Sequence, residues 1–107
     1  MRMLLKALIP NEPFNTLVKE GTAGKVIAKI MDEIKPEAAY FTEQNGKRCA
    51  LCVIDLADAA DIPRFAEPFF LKFNAETHFS VVMLPADLHQ AGLDELRAKM
   101  ALVGLTH

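Results

Sequence analysis

Apolar and polar positions along the chain change period several times, and each change marks an element. Met3 to Ile9, MLLKALI, reads as a strand, stopped by Pro10, whose nitrogen has no hydrogen to give a ladder. Strict alternation puts Met3, Leu5, Ala7 and Ile9 on one face and Leu4, Lys6 and Leu8 on the other. The first set is wholly apolar and is expected to carry helices. From Asn11 to Ile34 the apolar spacing becomes helical in two pieces. Phe14, Leu17 and Val18 belong to the first piece and Val26, Ile27, Ile30, Met31 and Ile34 to the second. Asn11 and Thr22 are the expected caps, Gly21 to Gly24 the interruption, and Lys35-Pro36 the stop.

The centre of the chain is a predicted hairpin. Asn45-Gly46 is suited to a type I′ turn, in which both central residues have positive φ, and it separates strands expected at Ala38 to Glu43 and Arg48 to Asp55. The run CALCVI is apolar at every position, the pattern of a strand covered on both faces. One cover is the helical layer; the other is expected from a second sheet, most simply that of a partner subunit. A second helical region follows from Asp58 to Phe73, with Asp58 or Asp61 as cap and Phe65, Phe69 and Phe73 at four-residue spacing. Pro68 inside it is expected to kink or split the helix. A fourth strand is expected from Glu76 to Leu84, with Phe79, Val81 and Met83 on one face and His78, Ser80 and Val82 on the other. Asp87 reads as the cap of a final turn. After Gly92, Leu93, Leu96, Met100 and Val103 fall on one side of a closing helix.

With 107 residues and no linker, repeat or low-complexity segment, residues 1–107 read as one domain of the α+β class. Hydrophobic residues make up 51% of the chain, a surplus for which a subunit interface is the usual outlet. The net charge of −2, with no basic block, argues against nucleic acid or an anionic membrane as partner. No apolar run has the length of a membrane span or the layout of a secretory signal, so a cytoplasmic location is expected.

The order βαββαβ resembles a ferredoxin-like unit with a four-stranded antiparallel sheet ordered 4-1-3-2. Apolar character on both faces makes it similar to the dimeric α/β-barrel superfamily, which includes muconolactone isomerase-like and antibiotic-biosynthesis-monooxygenase-like proteins. The segments KPEAAYFTEQNGKR, IDLADAADIP and AEPFFLKFNAE are also similar to a group of short bacterial proteins without assigned function. The resemblance implies a homodimer in which two sheets pack face to face around a cavity. It implies no particular reaction, since that superfamily holds isomerases, cofactor-free oxygenases, haem-dependent enzymes and binding proteins; for this chain no cofactor is expected.

On that expectation the inner faces present Lys6, Cys52, His78 and Ser80, with Tyr40 as a further candidate. Lysine, histidine and tyrosine around one cavity suit an anionic or phenolic small organic ligand. His78 is then the candidate catalytic acid or base, with Lys6 or Tyr40 stabilising negative charge. The competing reading is that these groups only bond to one another and to interface water. A third is a pure interaction module whose inner face is filled by Leu4, Leu8, Ala50, Ile54 and Val82.

Other motifs are weaker. Cys49 and Cys52 form C-x-x-C, but positions three apart on a strand face opposite ways, and no second pair completes a zinc site; two buried reduced thiols are expected. Gly21-Thr22-Ala23-Gly24-Lys25 lacks the first glycine and the Ser or Thr of a phosphate loop. It resembles the GXXG loop of KH domains, which gives a single-stranded nucleic-acid binder as the alternative function. His89 and His107 stand apart from any ligand set, so no metal is expected. Glu67 and Asn74 are candidates for the cavity mouth.

Overall fold

The computed structural model describes residues 1–102 and shows an α+β fold with a four-stranded antiparallel sheet, compatible with a ferredoxin-like arrangement. Strand β1 (Arg2–Ile9) leads into helices α1 (Asn11–Lys19) and α2 (Ala23–Ile34). The hairpin strands β2 (Ala38–Gln44) and β3 (Lys47–Asp55) follow, then α3 (Ile62–Phe73) and β4 (Glu76–Val81). Helices α4 (Pro85–Gln90) and α5 (Leu93–Leu102) end the described chain. The sheet order is β2-β3-β1-β4, with every neighbouring pair antiparallel. Each half is a split unit: β1 and β2 flank β3, and β3 and β4 flank β1.

Local chemistry accounts for most of the boundaries. Asn45 and Gly46 have φ of 53° and 78°, the two positive values that a type I′ turn demands. The Gly46 N–H donates to Glu43 Oε1 at 2.9 Å, which ties the turn to its own strand. Gly21, with φ of 75°, closes α1, and Lys35 leaves α2 in the left-handed region at 45°, just before Pro36. The Asp58 carboxylate accepts from the Ala60 N–H at 3.0 Å and caps a short 3-10 turn, Ala59–Asp61, that feeds α3. Thr22 precedes α2 but makes no side-chain cap; its hydroxyl donates back to the Leu17 carbonyl at 3.4 Å. Asn11 is the first residue of α1, with Pro10 in the cap position.

Burial follows the alternation in β1. Met3, Leu5, Ala7 and Ile9 are buried under the helices while Leu4, Lys6 and Leu8 are half-buried on the reverse. Phe65, Phe69 and Phe73 all lie in the core, and the Phe73 ring meets Phe14 of α1 at 5.0 Å between centroids, tilted by 54°. Burying three phenylalanines is worth roughly 5–9 kcal/mol of transfer free energy, enough to fix α3 on the sheet.

Other expectations are corrected. Of the kink or split expected at Pro68, the split is absent: α3 runs as one helix from Ile62 to Phe73. The bond lost at the Pro68 nitrogen falls to the carbonyl of exposed Arg64, where water can replace it. Strand β4 ends at Val81, not Leu84, and of the expected apolar face only Phe79 packs on the core; Val81 and Met83 are 62% and 60% exposed. The last helix does not bury a stripe. Leu93, Leu96 and Met100 are all exposed, and Val103 lies outside the described residues. Asp87 sits three residues into α4, where its carboxylate accepts from the Leu84 N–H at 2.8 Å.

Helices α4 and α5 form an arm. The molecule measures 64 × 29 × 21 Å with a radius of gyration of 18.7 Å, against about 13 Å for a compact chain of this length.

Candidate functional site

The helix-free face of the sheet gathers the candidate residues, and the strand register says which of them meet. Tyr40 pairs with Leu51, Leu51 with Lys6, and Lys6 with His78, so the four form one row across all four strands. Directly paired residues point to the same face, and neighbouring Cβ atoms are about 5 Å apart. With strands about 4.8 Å apart, the row from Tyr40 to His78 spans roughly 14 Å. A second row runs Ala38, Val53, Leu4, Ser80, and a third Thr42, Cys49, Leu8, Glu76. Lys6, Tyr40, His78 and Ser80 therefore share the open face. Lys6 and His78 are next-door neighbours, Ser80 is two residues further along β4, and Tyr40 lies at the opposite edge.

Cys52 does not join them. It pairs with Leu5 and Ala39, both on the helix-covered side, and belongs to the buried core. Ala50 and Ile54 lie on that side too, so the expected filling of the open face by those two residues is also overturned. The cysteine on the open face is Cys49, which is buried among its neighbours, with Sγ 3.9 Å from Gln44 Oε1. The two sulfurs do diverge, and both are free thiols. Burial, with a smaller contribution from Cys49, pushes the Cys52 thiol from 9.0 up to about 11. It is protonated at neutral pH and no nucleophile.

The open face has an apolar centre and a polar rim. Leu4, Leu8, Leu51 and Val53 on the two central strands are half-buried, and Lys6 is the one charge among them. At the β2 edge Tyr40 is 63% exposed. On β4 the carboxylate of Glu76, a residue absent from the sequence-based set, reaches to 3.6 Å from His78 Nε2, too long for a hydrogen bond. Nothing else among the described residues forms an ion pair or hydrogen bond with the His78 ring. At one end of the sheet Arg2 Nε donates to Glu37 at 3.0 Å, and the amino terminus meets Asp55 at 3.1 Å. Both pairs are exposed and contribute little stability.

The remaining candidates lie elsewhere. His89 is in the arm and His107 is outside the described residues; Glu67 and Asn74 belong to α3 and its end, on the helical side. Ala23, Gly24 and Lys25 of the GXXG-like string form the first turn of α2, with Ala23 in the core.

No family model, curated protein or solved structure matches this chain. The site must be read from its own geometry. Among the described residues no cluster of His, Cys, Asp or Glu is placed to hold a metal, and no helix is long and apolar enough to cross a membrane.

Proposed function

We propose that the protein is a ferredoxin-like homodimer of the dimeric α/β-barrel kind, in which two open sheet faces pack together and hold a small organic anion or phenol. The row Tyr40–Leu51–Lys6–His78 carries this reading. It sets a cation and an imidazole side by side in an apolar surround that only a second body can desolvate. Apolar residues at the centre and polar ones at the rim are the anatomy of a protein interface. The sheet face is small, roughly 20 Å on a side, whereas a standard interface takes about 800 Å² from each partner. The exposed Leu88, Leu93, Leu96 and Met100 of the arm supply further apolar surface, and the proposal includes them in the contact between copies.

Binding ranks ahead of catalysis. A general acid or base works best when a second group orients it, and in the single subunit His78 has only the distant Glu76 carboxylate. Sedimentation of the purified protein, with and without 4-hydroxybenzoate as a phenolic anion probe, tests the reading. A dimer that binds the probe, and loses about tenfold in affinity or more on Lys6→Ala, agrees with it. A monomer, or a dimer whose binding is indifferent to Lys6, overturns it.

A further inference from the structure

A second candidate site lies on the opposite side of the sheet, where the helical layer stops short of strand β2. Phe41 pairs with the fully buried Ala50 and so faces the helices, yet it is 53% exposed. Beside it opens a cleft of about 370 Å³, walled by Ile9, Phe14, Ile27 and Phe41 and by Arg48. Thr42 and Cys49 also line it. Their side chains point to the open face by register, so the strand backbone is what they offer to the cleft.

The state of Arg48 gives the cleft its chemistry. Its guanidinium lies 4.4 Å over the Phe14 ring, and Nη1 donates to Asn15 Oδ1 at 2.8 Å. Stacking and one hydrogen bond hold the planar cation in place and leave other N–H donors of the fork unspent. Its cross-strand neighbour is Glu43, the obvious counter-charge, but the Glu43 carboxylate is turned to the hairpin, where it accepts from the Gly46 N–H at 2.9 Å. Among the described residues no carboxylate comes within 4.0 Å of Arg48.

We infer that this cleft binds a small aryl or acyl carboxylate, its apolar body among Phe14, Ile27 and Phe41 and its carboxylate on the Arg48 guanidinium. A fixed arginine fork matches a carboxylate in two parallel hydrogen bonds. The volume is at the lower end of those that hold small ligands, which limits the ligand to about a dozen non-hydrogen atoms. An apolar wall with a single unneutralised cation favours a monoanion over a phosphate ester or a neutral hydrocarbon. The site is separate from the open face and does not depend on the subunits pairing through it.

The test is an amide-resolved NMR titration of the full chain with 4-phenylbutyrate and, in parallel, with its neutral amide. The acid should bind saturably, with dissociation constants in the high micromolar to low millimolar range that a ligand of this size reaches. Shifts should centre on Ile9, Phe14, Ile27 and Phe41, and the amide should bind about tenfold more weakly or worse. Arg48→Gln should bring the acid down to the amide and leave the amide unchanged. Phe41→Asp, at a position 53% exposed, should weaken both ligands by removing an apolar wall and the acid further by charge repulsion, and serves if Arg48→Gln fails to fold. Absence of saturable shifts, shifts confined to the open face, or equal affinity for acid and amide would each overturn the inference.

Discussion

On the helix-covered face of the sheet Leu5, Ala7, Ala50 and Cys52 are lost from solvent beneath Phe65, Phe69 and Phe73. On the reverse of the same strands Leu4, Lys6, Leu51 and Val53 stay half-exposed, with Tyr40, His78 and Ser80 exposed around them. The strands do not differ between the faces; the cover does. The chain packs Phe65, Phe69 and Phe73 on one side and leaves the other with an uncovered apolar centre, furnished with a lysine, a histidine and a tyrosine that a plain core would not contain. On the proposed reading, the covered face carries the stability of the subunit and the open face the contact between copies.

Substitutions should divide along the same line. Phe69→Ala opens a cavity in the helix-covered core and should cost about 3–5 kcal/mol in denaturant unfolding; a loss under about 1 kcal/mol would mean the covered face is not the stabilising one. Next comes alkaline pH. The folded-state value of Cys52 lies above its unfolded one, so its contribution is whole below pH 9 and is lost as pH rises toward about 11. A shift of two units is worth up to about 3 kcal/mol. Unfolding midpoints across that window should fall more steeply in the wild type than in Cys52→Ala, and parallel curves would contradict the burial argument. Leu51→Glu puts a charge at the centre of the open face. It should weaken self-association by about 2 kcal/mol or more while shifting the unfolding of the separated subunit by less than about 0.5 kcal/mol. Lys6→Ala and His78→Ala should be smallest in stability, within about 0.5 kcal/mol, while probe affinity falls about tenfold or more; a large stability loss would make them structural members of the face.

The fold was largely legible because its signals were local and redundant. Within Met3 to Ile9 the single charge at Lys6 marks one face against the wholly apolar Met3, Leu5, Ala7 and Ile9, Asn45-Gly46 needs a turn, and three phenylalanines four apart fix the inner side of α3. The site is legible only where a polar residue marks a face. Lys6 is the one charge in its stretch and marks the open face, whereas CALCVI is apolar throughout and contains no parity to read. The sequence alone suggests Cys52 for the open face and Cys49 for the covered one, and pairing with Leu5 and Leu8 reverses them. The cleft at Arg48 left no local sign. It arises because α2 does not extend over β2, and because Glu43 turns to the Gly46 N–H rather than to Arg48, facts of tertiary geometry rather than of spacing. At Val81 and Met83 apolar alternation does not mean burial, because β4 ends at Val81 and both side chains are exposed.

Sedimentation equilibrium of the wild type beside Leu51→Glu tests the division between the two faces most directly. The account predicts twice the chain mass for the wild type and a single chain mass for the folded variant. A wild type that sediments as a monomer, or a variant that stays dimeric, would contradict it.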